Sequence, residues 1–221
     1  MTPIRMIASA ALLAASLGAG ASATAGTVSV DARDDIFLAG LSSVPTTGTV
    51  GDITDPFGAN PSPGGNGAGL LPVAISVAPG EILDITATGT VSCCYGGSPT
   101  NGPAGGGLGG TANINGYGNV AAYTGPELGL VGVFNGPSTP WSVFLIGASD
   151  TLVVPTGATK LYLGTVDAYG FSGNPGWFND NTGAFSVSGV PEPSTWALMG
   201  LGVFGLGAMV RAARRRQVSP V

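Results

Sequence analysis

Residues 81–92 read E-I-L-D-I-T-A-T-G-T-V-S, and they alternate. Leu83, Ile85, Ala87, Gly89 and Val91 fall on one side, with Asp84, Thr86, Thr88, Thr90 and Ser92 on the other. A period of two, with β-branched residues on the wet face, is the pattern of a strand buried on one side only. The Pro79-Gly80 pair ahead of it supplies a turn, and residues 71–77, L-P-V-A-I-S-V, form a second strand signal before that turn. Working outward, strand signals return at residues 128–134, 142–146, 151–154, 160–166 and 184–188, punctuated by Gly, Pro or Asn-Gly. Outside the two ends of the chain no stretch has the three-to-four spacing of an amphipathic helix. Many short strands between turns predict an all-β chain folded as an antiparallel β-sandwich over residues 71–189.

Residues 26–70 are weakly patterned. Residues 27–30 and 36–38 are short strand candidates, after which Pro, Gly and Thr dominate through Asn66, as in a long surface segment or a loose insertion. Residues 96–119 are glycine-rich and read as a flexible surface loop. They are no phosphate cradle, because no Lys-Ser/Thr follows and the only lysine of the chain is Lys160. Cys93 and Cys94 are the only cysteines. Neighbouring Cα atoms lie about 3.8 Å apart, under the usual disulfide range of about 4.4–6.8 Å. A vicinal bridge, an interchain bridge and two free thiols all stay open, with an oxidising compartment favouring a bridge.

That compartment follows from the ends. Residues 1–25 have the layout of a secretory signal: Arg5, an apolar run over residues 6–17, and Ala23-Thr24-Ala25 as a cleavage site before Gly26. The tail reads V-P-E-P-S-T-W-A-L-M-G-L-G-V-F-G-L-G-A-M-V-R-A-A-R-R-R over residues 190–216. Val190, Pro191, Glu192 and Pro193 open it, and their two prolines predict an extended, accessible backbone outside any sheet. Residues 196–210 carry no charge and would make a helix about 22 Å long, at the short end of what spans a bilayer. Arg211, Arg214, Arg215 and Arg216 then hold the end on the cytoplasmic side. This order resembles the PEP-CTERM sorting signal of Gram-negative bacteria. The resemblance implies an exosortase partner, a membrane-anchored precursor, export across the inner membrane and delivery to the cell surface or extracellular matrix.

With both ends set aside, Arg33 and Lys160 face eleven acidic residues, a net charge of about −9. Such a domain lacks the cations that phosphate contact needs, so nucleic acid is not expected as a partner. There is no histidine, which removes the commonest general base and the His-containing metal and triad sites. No carboxylate pair has the context of a glycosidase, and no enzyme is expected. Acids with few local cations suit either solubility or a divalent cation.

The chemistry concentrates in residues 160–187, K-L-Y-L-G-T-V-D-A-Y-G-F-S-G-N-P-G-W-F-N-D-N-T-G-A-F-S-V. A strand ends near Asp167, an irregular loop follows, and Asp180-Asn181 precede the last strand. Oxygen donors from a strand end and a strand start suit Ca²⁺, although Asp and Asn also serve ordinary turns. Tyr169, Phe171, Trp177 and Phe178 in that loop either stack on sugar faces or plug the end of the sandwich. Residues 161–167 with 180–187, V-A-P-G-E at 77–81, A-T-G at 87–89, and the stretches 128–134 and 144–147 together resemble the PA-IL-type bacterial lectins. That family implies a jelly-roll-like sandwich binding galactose through Ca²⁺. The resemblance makes Asp167, Asp180 and Asn181 side-chain ligands, with a backbone carbonyl near Cys93 or Tyr95 helping to close the shell. Position 180 is Asp where the family usually has Asn, the loop from Asp167 to Asp180 is longer, and the family's sugar-contacting histidine has no counterpart. Two readings follow: a calcium-dependent module for exopolysaccharide or other glycans, and a structural matrix protein whose Ca²⁺ serves stability alone.

Glu192→Ala is expected to leave the melting of the domain unchanged while precursor accumulates in the membrane fraction. Normal delivery of that variant would show the motif to be incidental.

Overall fold

The computed structural model describes residues 25–45, 67, 69–93, 100–107 and 110–191. The expected signal sequence, Cys94, and the apolar run and arginines of the tail lie outside them. Among the described residues no helix is long and apolar enough to cross a membrane. The chain is all-β, with strands β1 (Ala25–Asp31), β2 (Val73–Ser76), β3 (Ile82–Ser92), β4 (Thr100–Asn101), β5 (Thr111–Ile114), β6 (Tyr123–Pro126), β7 (Val131–Phe134), β8 (Val143–Leu145), β9 (Ser149–Val153), β10 (Lys160–Gly164), β11 (Ser172–Gly173) and β12 (Thr182–Pro191). Three 3₁₀ turns complete it, at Ile36–Leu38, Tyr169–Phe171 and Phe178–Asp180.

The strands form three sheets. The first runs β1-β12-β3-β4, with β9 also paired to β3; the second runs β2-β10-β7-β8; the third runs β11-β5-β6. Strand pairing is antiparallel except between β11 and β5. The alternation of β3 holds for Leu83, Ile85, Ala87 and Val91, which are buried and join Val30, Phe185 and Val187 of β1 and β12 in one core, but breaks at Gly89, which is exposed, and at Ser92, which is buried. Leu161 and Leu163 of β10 close that core from the second sheet, so these two sheets form the sandwich. Each fully buried leucine contributes about 1.5–3 kcal/mol.

The second sheet is covered on its other face as well. Val131 and Val133 of β7 pack with Phe37, Ala112, Ile114 and Tyr123 in a separate core, against which Tyr162 of β10 also rests. Burial on both faces is the physical reason residues 128–134 read as a nearly unbroken apolar run rather than an alternating one.

Three expectations change. Residues 36–38 form a 3₁₀ turn and not a strand, because the Asp35 carboxylate accepts the Phe37 N–H at 2.8 Å and caps the turn. Ala32, Ile36, Phe37, Leu38 and Ala39 are fully buried, while the turn-rich stretch expected after them as a surface segment or loose insertion lies, over residues 46–66, outside the described residues. Residues 96–119 hold β4 and β5; Ala112 and Ile114 alternate inward, but four residues among glycines are too few for the pattern to stand out. Finally, Val190 and Pro191 do join a sheet as the last residues of β12, opposite Gly26 and Ala25. A proline is tolerated there because the missing N–H falls at a strand end. Cys93 is buried and disulfide-bonded.

Gly164 ties the amino-terminal segment to this frame. A Cβ at Gly164 would stand 2.4 Å from the Asp34 carbonyl oxygen, so backbone must part to admit it. Gly164→Ala is expected to cost about 1–3 kcal/mol, the usual range for overpacking. In a thermal melt that is a fall of at least a few degrees, at about 2–4 °C per kcal/mol for a domain of this size; an unchanged melt would show that the contact yields freely.

Candidate functional site

The end of the sandwich where β1 and β10 finish and β12 starts carries the polar groups. Beyond β10 the chain continues straight: Thr165 N–H donates to the Asp34 carbonyl at 2.8 Å, and Ile36 N–H donates to the Thr165 carbonyl at 3.3 Å. The Thr165 hydroxyl donates to the Ala32 carbonyl at 2.8 Å, which also accepts from Asn181 Nδ2 at 3.3 Å. Asp34 and Asp35 are thereby stitched beside Asp167 and Asn181. Asp35, Asp167 and Asn181 are all nearly or fully buried, at 0%, 3% and 2% exposure.

The three ligands expected from sequence do come together. Asn181 donates to the Asp167 carboxylate, the Ala168 N–H donates to Asp167 Oδ1 at 2.7 Å, and Asp180 lies near enough to act on Asp167 by charge. Asp35 acts on it too from the amino-terminal segment. Sequence reasoning missed Asp35, which lies more than a hundred residues away in a stretch with no pattern to mark it. Cys93 stands one step beyond the Thr182–Ser92 rung, alongside Asn181, and its carbonyl accepts from the Ser92 hydroxyl at 3.1 Å; Tyr95 lies outside the described residues.

These acids are expensive to ionise. Burial pushes Asp35 and Asp167 well above the usual carboxylate range, even though Asp35 accepts from the Phe37 N–H and Asp167 from Asn181 and Ala168. Burial likewise raises Asp180, and pushes Asp34 up to about 6. Asp35 Oδ2, Asp180 Oδ1 and Asn181 Oδ1 are buried oxygens with no hydrogen-bond partner. Among the described residues no cationic side chain is paired with Asp35, Asp167 or Asp180, and Arg33 acts by charge on Asp34 alone of the group. Of the two cationic side chains among the described residues, Arg33 is committed to Asp31, donating from Nε at 2.9 Å, and Lys160 begins β10 at the opposite end of that strand. Three Asp, Glu or Cys side chains do not already stand in ligating arrangement among the described residues. A cation here would therefore draw on the Asn181 amide and backbone carbonyls besides two carboxylates.

Over this floor sits a cleft of about 290 Å³ lined by Asp167, Ala168, Tyr169, Gly170, Phe171, Trp177 and Asp180. Tyr169 is the most exposed of its rings, at 74%, and meets Trp177 at a centroid distance of 5.2 Å. Phe171 and Trp177 hold φ of 56° and 72°, a left-handed backbone that is uncommon for bulky residues. Phe178 has a different place from its three neighbours: it is fully buried and plugs the end of the sandwich under Gly69, where a Cβ would meet its own Cβ at 2.6 Å. Three of the four aromatics thus wall the cleft, and one closes the core.

Residues 189–216 match the PEP-CTERM protein-sorting motif, which marks the chain as an exported, exosortase-sorted protein. No curated protein matches the chain. Among solved structures it is similar to an EclA N-terminal domain, described as a PllA-like lectin, with 18% identity over 75% of this chain and 95% of that one and a TM-score of 0.36. Likeness at that level is too low to carry a function from one chain to the other.

The raised carboxylates set a pH dependence with a definite sign. Unfolded aspartates titrate near 3.9. Where the folded values lie higher, the folded state holds more protons in the window between, so the contribution of these groups to stability is full below about 4 and is lost as pH rises through the folded values. For Asp34 that window closes at about 6. In chelator the domain should melt at a higher temperature at pH 5 than at pH 7.5, and Asp34→Asn should flatten the difference. Equal melting at both values would show that these groups find compensation elsewhere.

Proposed function

We propose that the exported domain is a calcium-dependent carbohydrate-binding module, with Asp167, Asp180 and Asn181 holding the ion at the floor of the aromatic cleft. The observation that supports it is one juxtaposition. Buried carboxylate and amide oxygens, unmatched by a cationic side chain among the described residues, lie beneath walls of Tyr169, Phe171 and Trp177. Hard oxygen donors from several chain segments fit Ca²⁺, whose coordination is flexible and tolerates carboxylate, amide and carbonyl oxygens together. The ion supplies positive charge to groups that burial otherwise keeps from ionising, and a Lewis-acidic point toward which hydroxyl oxygens turn. The rings offer flat apolar faces of the kind that pack against the C–H face of a pyranose. Asp35 stands behind Asp167 and holds the amino-terminal segment in place through its bond to the Phe37 N–H.

Nothing in this arrangement calls for bond breaking. The module recognises glycan, and the sorting tail delivers it to where glycans are, the cell surface or the matrix outside it.

The test is a pair of measurements on the same protein. Millimolar calcium should raise the melting temperature relative to chelator; a ligand at a hundredfold excess over Kd contributes roughly 2.7 kcal/mol, or several degrees. Asp167→Asn removes charge from the buried centre of the group and should reduce the shift strongly, while Asp180→Asn should reduce it less because Asp180 is only partly buried. On a glycan array, binding should require calcium and be lost in Trp177→Ala, with the calcium shift retained. A wild-type domain with no calcium shift overturns the metal site. A shift without any glycan binding assigns the ion to stability and the protein to a structural role in the matrix.

A further inference from the structure

The loop that walls the cleft reaches past its rim to the third sheet. Ala168 and Pro175 form an antiparallel bridge at its base, and the Gly176 N–H donates to the Asp167 carbonyl at 3.1 Å, so residues 169–174 stand out as a closed loop. Its tip is β11, laid parallel on β5 with Ser172 beside Asn113 and Gly173 beside Ile114. Asn115 fastens the same tip twice. Its N–H donates to the Gly173 carbonyl at 2.7 Å, and its Nδ2 donates to Asn174 Oδ1 at 2.9 Å. Ala112 and Ile114 of β5 enter the core beneath the third sheet, which leaves Asn113 on the outside, opposite Thr124 of β6. Thr124, Asn113 and Ser172 thus form one exposed row across three strands, and Ser172 directly follows Phe171 of the cleft wall. Neighbouring strands lie about 4.8 Å apart, which makes the row roughly 10 Å long.

We propose that this row continues the cleft as a second subsite, so that the protein takes a glycan chain of two or more units instead of a single terminal sugar, a step that rests on the carbohydrate reading of the cleft. At about 290 Å³ the cleft is at the small end of ligand pockets, which run to about 1,000 Å³, so most of a glycan chain must lie outside it. A chain that leaves past Phe171 meets the row next. The groups there suit hydroxyls, because an amide offers a donor and an acceptor side by side and two neighbouring sugar hydroxyls can meet both. Asn113 Oδ1 accepts from the Thr124 hydroxyl at 2.7 Å, which fixes the amide and leaves its Nδ2 to donate outward. In the clasp beside it Asn115 spends a donor and Asn174 an acceptor, which leaves an acceptor and a donor to face a ligand. Row and clasp carry no charge, in a chain whose middle has a net charge of about −9, so that surface suits a polar, uncharged ligand. Because the loop tip is paired to β5, wall and row keep a fixed separation, and contact with consecutive units costs little further ordering of the protein.

Equilibrium binding to the full protein in millimolar calcium tests it. The probes are galactose, glucose, mannose and N-acetylglucosamine, each beside a linear tetrasaccharide of the same sugar. For the sugar that binds, the tetrasaccharide should bind about tenfold tighter than the single unit, the worth of one or two added hydrogen bonds. The double variant Asn113→Ala, Ser172→Ala trims two exposed side chains and leaves the backbone pairing of β5 and β11 in place. It should erase most of that gain, with the affinity for the single sugar and the calcium-dependent melting shift kept at wild-type values, which also reports an intact fold. Thr88→Ala, on the exposed face of the first sheet, should change none of the three. Equal affinity for single sugar and tetrasaccharide would overturn the second subsite and leave the cleft reading standing. A gain that survives the double variant would overturn it too, since the chain would then run elsewhere. Binding of no probe at either length would remove the cleft reading itself, and the second subsite with it.

Discussion

Carboxylates taken out of water, with no cationic side chain among the described residues to meet them, set the terms for one whole end of this sandwich. Asp35 and Asp167 are buried where the chain segments around them contribute hydrogen-bond donors together with further carboxylates, each other's and that of Asp180. Such donors offset part of the lost hydration but not all of it, so burial still holds the pKa of both acids above the usual carboxylate range. A structure of this kind has two ways to settle, by keeping protons or by taking up a cation. Everything nearby is arranged around that choice: Asn181 turned toward both Asp167 and the Ala32 carbonyl, the Asp35 cap, and the close approach of Gly164 to the Asp34 backbone.

The middle sheet makes that arrangement stiff. β10 is packed on both faces, by Leu161 and Leu163 on one side and Tyr162 on the other, so its direction beyond Gly164 is set before Thr165 and Asp167 are reached. The amino-terminal segment is then held against that extension by backbone hydrogen bonds and by three fully buried side chains of its own turn, Ile36, Phe37 and Leu38. The loop above is the contrasting part. It carries two aromatic residues in left-handed conformation and leaves Tyr169 mostly in solvent, which places the adaptable surface directly over the rigid floor.

What could be read in the sequence divides along the same line. The alternation of residues 81–92 and the apolar stretches at 128–134 and 160–166 announced strands because burial of one or both faces leaves a periodic trace. Asp167, Asp180 and Asn181 could be grouped because they bracket one loop, although their meeting depends on β10 and β12 finishing and starting at the same end of the sandwich. Asp35 left no trace at all. Its position results from pairing with Thr165, a contact between distant segments that periodicity cannot record. Phe178 shows the opposite limit: composition grouped it with Trp177, but Trp177 is the left-handed cap of the 3₁₀ turn that starts at Phe178, and the two side chains part there, Trp177 to the cleft and Phe178 to the interior. The prolines of the tail misled in a third way. A missing donor excludes a residue from the middle of a ladder, yet it is harmless at the final rung, and sequence alone does not say which rung is final.

The length of β12 has a mechanical consequence. The strand starts one residue after Asn181 and ends at Pro191, so a single extended segment of roughly 33 Å, at about 3.3 Å per residue, joins the cleft to the point where the tail departs. While the tail is held, the cleft is presented on the side facing away from it, at arm's length. Tension from that attachment enters along the axis of β12, which is clasped by β1 on one edge and by β3 on the other for most of its length. Such a load pulls many hydrogen bonds in shear together instead of opening them singly, and the strand that bears it is the one whose beginning positions Asn181. The end that positions Asn181 and the end at Pro191 are therefore joined by the same ten residues.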